Sequence, residues 1–336
     1  MLGVSRRSGT NFLAGLLLCH RDCAAPAPPV AEDHLLREIP TLERYVARTA
    51  RHWPRRWGDR DAGAADLRAA LGEGLLRFLT DRSDGRRTVS RTPSTAHLTR
   101  APRWYAGADV VLLVRDGRSV AASFAAAWGW PLELAALEWR RGARRIIGLD
   151  APTPIPDAAR ARFLLVRYED VLADTEGAIA RLLDFTGLDP AGFDHEAARR
   201  LPVLGSSYLR DEHGRVTWEP RPPSADFDPA HRHAGWSRAQ RERFDWLAGA
   251  EQRALGYERD DDPPRGVGDR ARMIALDATL PVRHAPLRAR RALANALRSG
   301  RSEWRARTSA QPPDAGAGGT SSSTSSSTTR SSASGR

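Results

Sequence analysis

Two runs of β-type residues, DVVLLV at Asp109–Val114 and RFLLV at Arg162–Val166, constrain this chain more than any other feature. Each is nearly continuous in apolar character, as in strands covered on both faces, and each leads into a helical pattern. The first opens directly into RDGRSVAASFAAAW; the second passes through RYED into a helix near Thr175–Phe185 that Gly187 closes. Apolar strands alternating with helices predict an α/β fold, a P-loop-like parallel sheet flanked by helices on both faces. Further helices are expected from about Asn11 to Cys19, near Thr41–Ala50 and at Ala65–Leu79. A sheet of this kind also needs a strand before Gly3, where only Met1 and Leu2 stand. That strand is expected to be very short, the alternative being a true start further upstream.

A chain of 336 residues supports one large domain or two small ones. Its character changes after LGYERDDDPP. Residues 1–260 are expected to form the α/β domain, 261–307 a basic and helical extension, and 308–336 a disordered Ser/Thr/Gly-rich tail. Within the extension, eight arginines from Arg283 to Arg307 face only Glu303, with Leu287, Leu293, Leu297 and Trp304 along one side of a helix. No apolar run approaches the ~18–20 residues that a membrane span requires, so a cytoplasmic protein without a transmembrane segment is expected.

The net charge of +11 comes from 52 basic residues against 41 acidic ones, and all the basic ones are arginine. Any site that needs a cation must therefore use a guanidinium, a planar fork suited to phosphate or sulfate. The two cysteines, Cys19 and Cys23, flank His20 without a second pair elsewhere, which is too few ligands for a metal site. No metal is expected, and both thiols are expected to be free.

The opening stretch, SRRSGTNFLAGLLL, permits two incompatible readings. Paired arginines before an apolar run suggest an export signal, yet the run is short and CHRDC puts charge where a cleavage region is small and neutral. The other reading is an anion-binding loop. Gly3 and Thr10 have the spacing of the first Gly and the final Ser/Thr of a P-loop, with Ser8-Gly9 replacing its Gly-Lys. Such a loop wraps backbone N–H groups around an anion at a helix N-terminus. The missing lysine and the absence of a Walker-B acid argue against Mg-dependent NTP hydrolysis.

The loop RRSGTNFLAGLL (Arg6–Leu17) resembles the 5′-phosphosulfate loop of sulfotransferases. VVLLVRDGRSVAASF (Val110–Phe124) resembles the 3′-phosphate segment of the same family, a strand ending in Arg followed by a Ser on the next helix. VRYEDVLADTEGAIARLLDFTGL resembles a further family segment taken as mainly structural, and RHAGWSRAQRERFDWLAG the nucleotide-closing C-terminal part. The resemblance implies 3′-phosphoadenosine 5′-phosphosulfate (PAPS) as co-substrate, without a metal. Arg7, Ser8, Gly9, Thr10 and Asn11 would bind its 5′ end, Arg115 and Ser123 its 3′-phosphate, and Arg232 would close over it. Arg7 would also stabilise charge on the leaving phosphate.

The expected base comes from EDHLL, which is similar in place to the Glu-x-His segment of the heparan-type branch. Glu32 is the first candidate and His34 the alternative. The cytosolic branch has a histidine where this chain has Arg91-Thr92-Pro93; His97, a turn later, is a third candidate. The acceptor class left open is a small molecule, carbohydrate or lipid, with Trp128, Trp130 and Trp139 as possible pocket or core residues. Rival readings are a P-loop nucleotide kinase or NTPase, and a nucleic-acid or membrane-surface protein driven by the basic C-terminal region; nucleic acid is not the expected partner.

Overall fold

The computed structural model describes residues 1–26, 32–81, 83–148, 162–204, 212–213, 216, 219–222, 227–258, 266–287, 289–290 and 293. Five strands occur among them: β1 (Leu2–Gly3), β2 (Cys23–Ala24), β3 (Arg87–Thr88), β4 (Asp109–Val114) and β5 (Arg162–Arg167). The helices are α1 (Thr10–Leu18), α2 (Leu35–Ala50), α3 (Arg60–Thr80), α4 (Ala101–Trp104), α5 (Gly117–Trp128), α6 (Leu132–Ile147), α7 (Tyr168–Ala173), α8 (Thr175–Thr186), α9 (His195–Arg199), α10 (Arg238–Ala254) and α11 (Val267–Arg283).

The main sheet is parallel with order β1-β4-β5. Leu2 pairs with Leu112, and β4 pairs with β5 from Asp109–Arg162 to Val114–Arg167. Thr92 bridges Leu2 on the other side of β1. Alternation along β4 sends Val110, Leu112 and Val114 into one core and Val111 and Leu113 into another. The first core joins Leu36 and Ile39 of α2, Phe124 of α5, Trp139 of α6 and Phe244 of α10. The second joins Leu13 and Leu16 of α1 to Ile179 and Leu182 of α8. Both faces are thus covered, as the apolar runs predict.

The first strand has two residues, and its close neighbour on one side is α6: a Cβ on Gly142 would lie 1.7 Å from the Val4 carbonyl. Only glycine allows that approach. Helix α2 begins at Leu35 rather than near Thr41, with Pro40 inside it. The sequence pattern stops at that proline because its missing N–H weakens a helix, yet the fully buried Leu36 and Ile39 hold the preceding turn in place. Helix α3 likewise starts earlier than its apolar pattern, where the Asp59 carboxylate caps the Asp61 N–H at 2.8 Å.

The chain divides into two compact units, Met1–Arg270 and Ala271–Arg336. The first contains the main sheet, the parallel β2–β3 pair and every element through α10. In the second, the described residues include the remainder of α11, on which Ile274 and Val282 are exposed. Leu297, Trp304 and the 308–336 tail lie outside the described residues. No described helix is long and apolar enough to cross a membrane.

Candidate active site

The order β1-β4-β5 places the carboxyl ends of β1 and β4 side by side, where ligands of open α/β sheets bind. Each strand there turns sharply into a helix. At the first corner the loop folds on itself: the Ser5 N–H donates to Ser8 Oγ at 3.1 Å, and Ser8 Oγ donates back to the Ser5 carbonyl at 2.5 Å. The Ser8 hydroxyl is thus engaged inside the loop, and this residue does not line the cavity described below.

Arg7 and Gly9 both have left-handed backbones, with φ of 67° and 95°. Gly9 is required for a second reason, since a Cβ there would lie 2.4 Å from the Tyr168 ring. Its carbonyl begins α1, and no side chain caps that helix nor is there an acid in its first turn. The first N–H groups of α1 are therefore open to an anion.

The second corner is built around a buried guanidinium. Arg115, 5% exposed, donates through one nitrogen to the Arg7 carbonyl at 2.7 Å and through the other to the Pro229 carbonyl. Its guanidinium carbon lies 4.9 Å from the Tyr168 ring centroid. Among the described residues it has no carboxylate within ion-pair distance, and its Nε has no hydrogen-bond partner. Burial holds the Arg115 pKa below the usual arginine range even with Tyr168, Glu169 and Asp116 nearby.

Acids near this corner serve the backbone instead. Glu169 accepts from the Asp116 N–H at 2.9 Å and from the Tyr257 hydroxyl at 2.8 Å. Asp116 caps α5 at the Arg118 N–H and pairs with the Arg118 side chain, while Gln252 accepts from Gly117 N–H and donates to Asp116. Burial raises the Asp116 pKa, but the hydrogen bonds and charge of Arg118, with His233 and Gln252, outweigh it and keep the net shift downward. A connected hydrogen-bond network thus holds the corner without a ligand.

Arg7 closes the space between the corners. Its Nε donates to Ser123 Oγ at 3.0 Å, and its guanidinium lies 5.5 Å from the Trp128 ring centroid. Burial, then the charges of Arg115 and Arg232, lower its pKa to about 10. Three guanidiniums from positions 7, 115 and 232 therefore share one electrostatic neighbourhood. Their mutual repulsion favours a bound anion.

These groups line a cavity of about 670 Å³. Of the residues expected at the site, Glu32, Arg7, Gly9, Thr10, Asn11, Arg115, Ser123 and Arg232 line it. Beyond the arginines an apolar wall of Phe12, Tyr168, Ile179 and Leu201 continues the same space, with Glu176 and Arg199 at its edge. Glu176 there pairs with His195 at 2.7 Å.

Glu32 is set by its neighbour in sequence. Asp33 accepts from Ser90 Oγ, from Thr92 Oγ1 at 2.9 Å and from the Leu35 N–H at 2.9 Å, and its own N–H donates to the Arg91 carbonyl. This fastens the EDH segment to the chain that bridges β1, and Glu32 then faces the cavity. His34 is exposed with φ 49° and places Nε2 3.1 Å from Glu32 Oε2, but does not itself line the cavity. His97 does not line the cavity either; partial burial, Arg100 and Arg145 lower its pKa. Pro93 does line it.

Sequence reasoning missed Asp33 and underrated Tyr168 and Glu169, which it took as part of a structural segment. Their signal was the YED triplet itself, a phenol and two acids at the end of a strand in the same layer as Arg115. Among the tryptophans, Trp139 is fully buried and donates to the Arg115 carbonyl at 3.0 Å, Trp130 packs on Phe124 in the core, and Trp128 lines the cavity. Cys19 and Cys23 are free thiols, and no metal-binding group of His, Cys, Asp or Glu occurs among the described residues.

A family model described as the sulfotransferase family matches residues 2–192, which contain both corners and the EDH segment. No curated protein matches the chain. Among solved structures, the sulfotransferase domain of the Synechococcus PCC 7002 olefin synthase aligns at 19% identity over 82% of this chain and 93% of its own, with a TM-score of 0.41. The sulfotransferase domain from the curacin biosynthetic pathway aligns at 18% identity over 76% of this chain and 96% of its own, with a TM-score of 0.42.

Proposed function

The chain belongs to the sulfotransferase family, and from that premise we propose that it moves the sulfuryl group of PAPS to a hydroxyl or amine of a small-molecule, carbohydrate or lipid acceptor. The observation that carries the choice of donor is the gathering of Arg7, Arg115 and Arg232 around one cavity, with Arg115 buried and lacking a carboxylate partner among the described residues. A donor with phosphate at both ends of its ribose supplies the missing negative charge at two places. The open N-terminus of α1, with Arg7, Thr10 and Asn11, takes the 5′ end; Arg115 and Ser123 take the 3′-phosphate, and Arg232 closes over it. The apolar wall at Phe12 and Tyr168 receives the base.

PAPS supplies the transferable sulfuryl group, and the protein positions, neutralises and removes one proton. Arg7 cannot give up its proton at neutral pH, so it acts by charge on the leaving phosphate. Glu32, held in the cavity by Asp33, is the base that takes the acceptor's proton. His34, 3.1 Å from Glu32, orients it and is the alternative base. Residues 1–260 form the catalytic domain, 261–307 the basic extension and 308–336 the tail. The protein works in the cytoplasm.

Calorimetric titration tests the donor. Adenosine 3′,5′-bisphosphate without metal is expected to bind more tightly than ATP with magnesium; preference for ATP would turn the assignment to a nucleotide kinase. Glu32→Gln is expected to lower turnover by about 10²–10⁴-fold while bisphosphate affinity stays within a factor of about two. An active variant would transfer the base to His34 or His97.

A further inference from the structure

Helices α2 and α3 pack together and are joined by the short turn 51–59. The buried side of α2 carries Leu36, Ile39 and Val46. Its outer side carries Arg44, Arg48 and Arg51 at helical spacing, all exposed, and the turn adds the exposed Arg55 and Arg56. None of these five arginines pairs with a carboxylate among the described residues, whereas Arg68, Arg77, Arg87 and Arg144 all do. Two of the nearby acids are engaged elsewhere. Glu43 turns inward to Trp104 Nε1 at 2.8 Å and Arg68 at 3.3 Å, and Asp59 caps α3.

The turn also holds two tryptophans with opposite fates. Trp53 is half-buried against α3, where a Cβ on Gly63 would lie 3.0 Å from its ring. That contact fixes the turn. Trp57 is 74% exposed, and the Arg56 guanidinium lies beside its ring, 5.7 Å from the centroid. A large indole held out at the apex of a cationic turn leaves apolar area in water that an acidic partner alone would not cover.

We propose that this turn docks the protein on an anionic lipid bilayer, with Trp57 in the headgroup–acyl boundary and Arg51, Arg55 and Arg56 on lipid phosphates. The pairing of chemistries carries the choice. An indole has one apolar and one polar end, as the interface does, and arginines beside it gain about 1 kcal/mol each near an anionic surface. A duplex nucleic acid satisfies the arginines and offers the projecting indole no apolar layer. The site is separate from the cavity, so it stands independently of the donor assigned above.

Sedimentation of the full chain with phosphatidylcholine vesicles, and with vesicles of equal phosphatidylcholine and phosphatidylglycerol, tests this. Binding is expected only to the mixed vesicles and is expected to weaken as salt rises. Arg55→Ser combined with Arg56→Ser is expected to lower the partition coefficient roughly ten- to thirtyfold, and Trp57→Ala roughly three- to tenfold. Melting temperatures equal to the parent's show that the variants fold. The arginine-rich stretch 283–307 is present in parent and variants alike, so the readout is their difference. Equal partitioning of parent and variants, or a parent that ignores phosphatidylglycerol, overturns the proposal. A loss of duplex-oligonucleotide binding in the variants without any vesicle binding overturns it in favour of a nucleic-acid surface.

Discussion

The corner after β1 and the corner after β4 face the same cavity and are built on different principles. The first is made of backbone: two left-handed residues, a serine folded back on its own loop and a helix start without a cap. The second is made of a buried side chain, Arg115, held by two carbonyls and an aromatic face above a network of Glu169, Asp116, Gln252 and Tyr257. Backbone N–H groups offer many weak donors to an anion of any shape, whereas a fixed guanidinium offers charge at one point. On the donor proposed above, the first corner would take the group whose bonding changes in the reaction and the second the phosphate that stays intact.

The sharpest way to break this contrast is Gly9→Val. A β-branched residue at φ 95° is strained, and its Cβ meets the Tyr168 ring at 2.4 Å, so the loop must move. We expect a loss of about 3 kcal/mol or more in thermal melting and no measurable bisphosphate binding. A variant that melts and binds like the parent would show that the first corner does not depend on its left-handed backbone. Next in size is Arg115→Ala. By calorimetry it should weaken adenosine 3′,5′-bisphosphate by about 2–3 kcal/mol and adenosine 5′-phosphosulfate by less than about 0.7 kcal/mol. Equal losses would remove Arg115 from the 3′ end.

Arg7→Asn gives the smallest and most diagnostic effect. Asn tolerates the left-handed backbone, and the change removes a charge that Arg115 and Arg232 repel. The ligand-free protein should melt roughly 2–4 °C higher, and the rise that bisphosphate produces in the parent should shrink. A lower melting temperature without ligand would mean that the contacts of Arg7 with Ser123 and Trp128 outweigh the repulsion.

Legibility followed the range of the interactions. Strands β4 and β5 and helices α5 and α8 were readable because their apolar repeats and caps lie within a few residues of one another. That Arg7, Gly9, Thr10, Asn11, Arg115 and Ser123 come together at one cavity was anticipated by two local motifs. Strand β1 was barely so, since two residues cannot display a period; its identity comes from pairing with Leu112 and Leu113. The beginning of α2 was hidden by Pro40, and the part played by Asp33 by its partners, Ser90 and Thr92, far along the chain. Ser8 was expected at the ligand from the motif, but a motif does not say which way a side chain turns, and its hydroxyl bonds Ser5 inside the loop.

The amino-acid order alone determined a parallel sheet clothed by helices on both faces, guanidinium as the cation of every site, and two anion-suited turns. Tertiary structure decided that those turns meet. Arg115 reaches the Arg7 carbonyl across 108 residues and the Pro229 carbonyl across 114, distances over which no periodicity carries information. Only the adjacency of β1 and β4, fixed by backbone pairing and by side chains buried on either face of β4, brings the charges together.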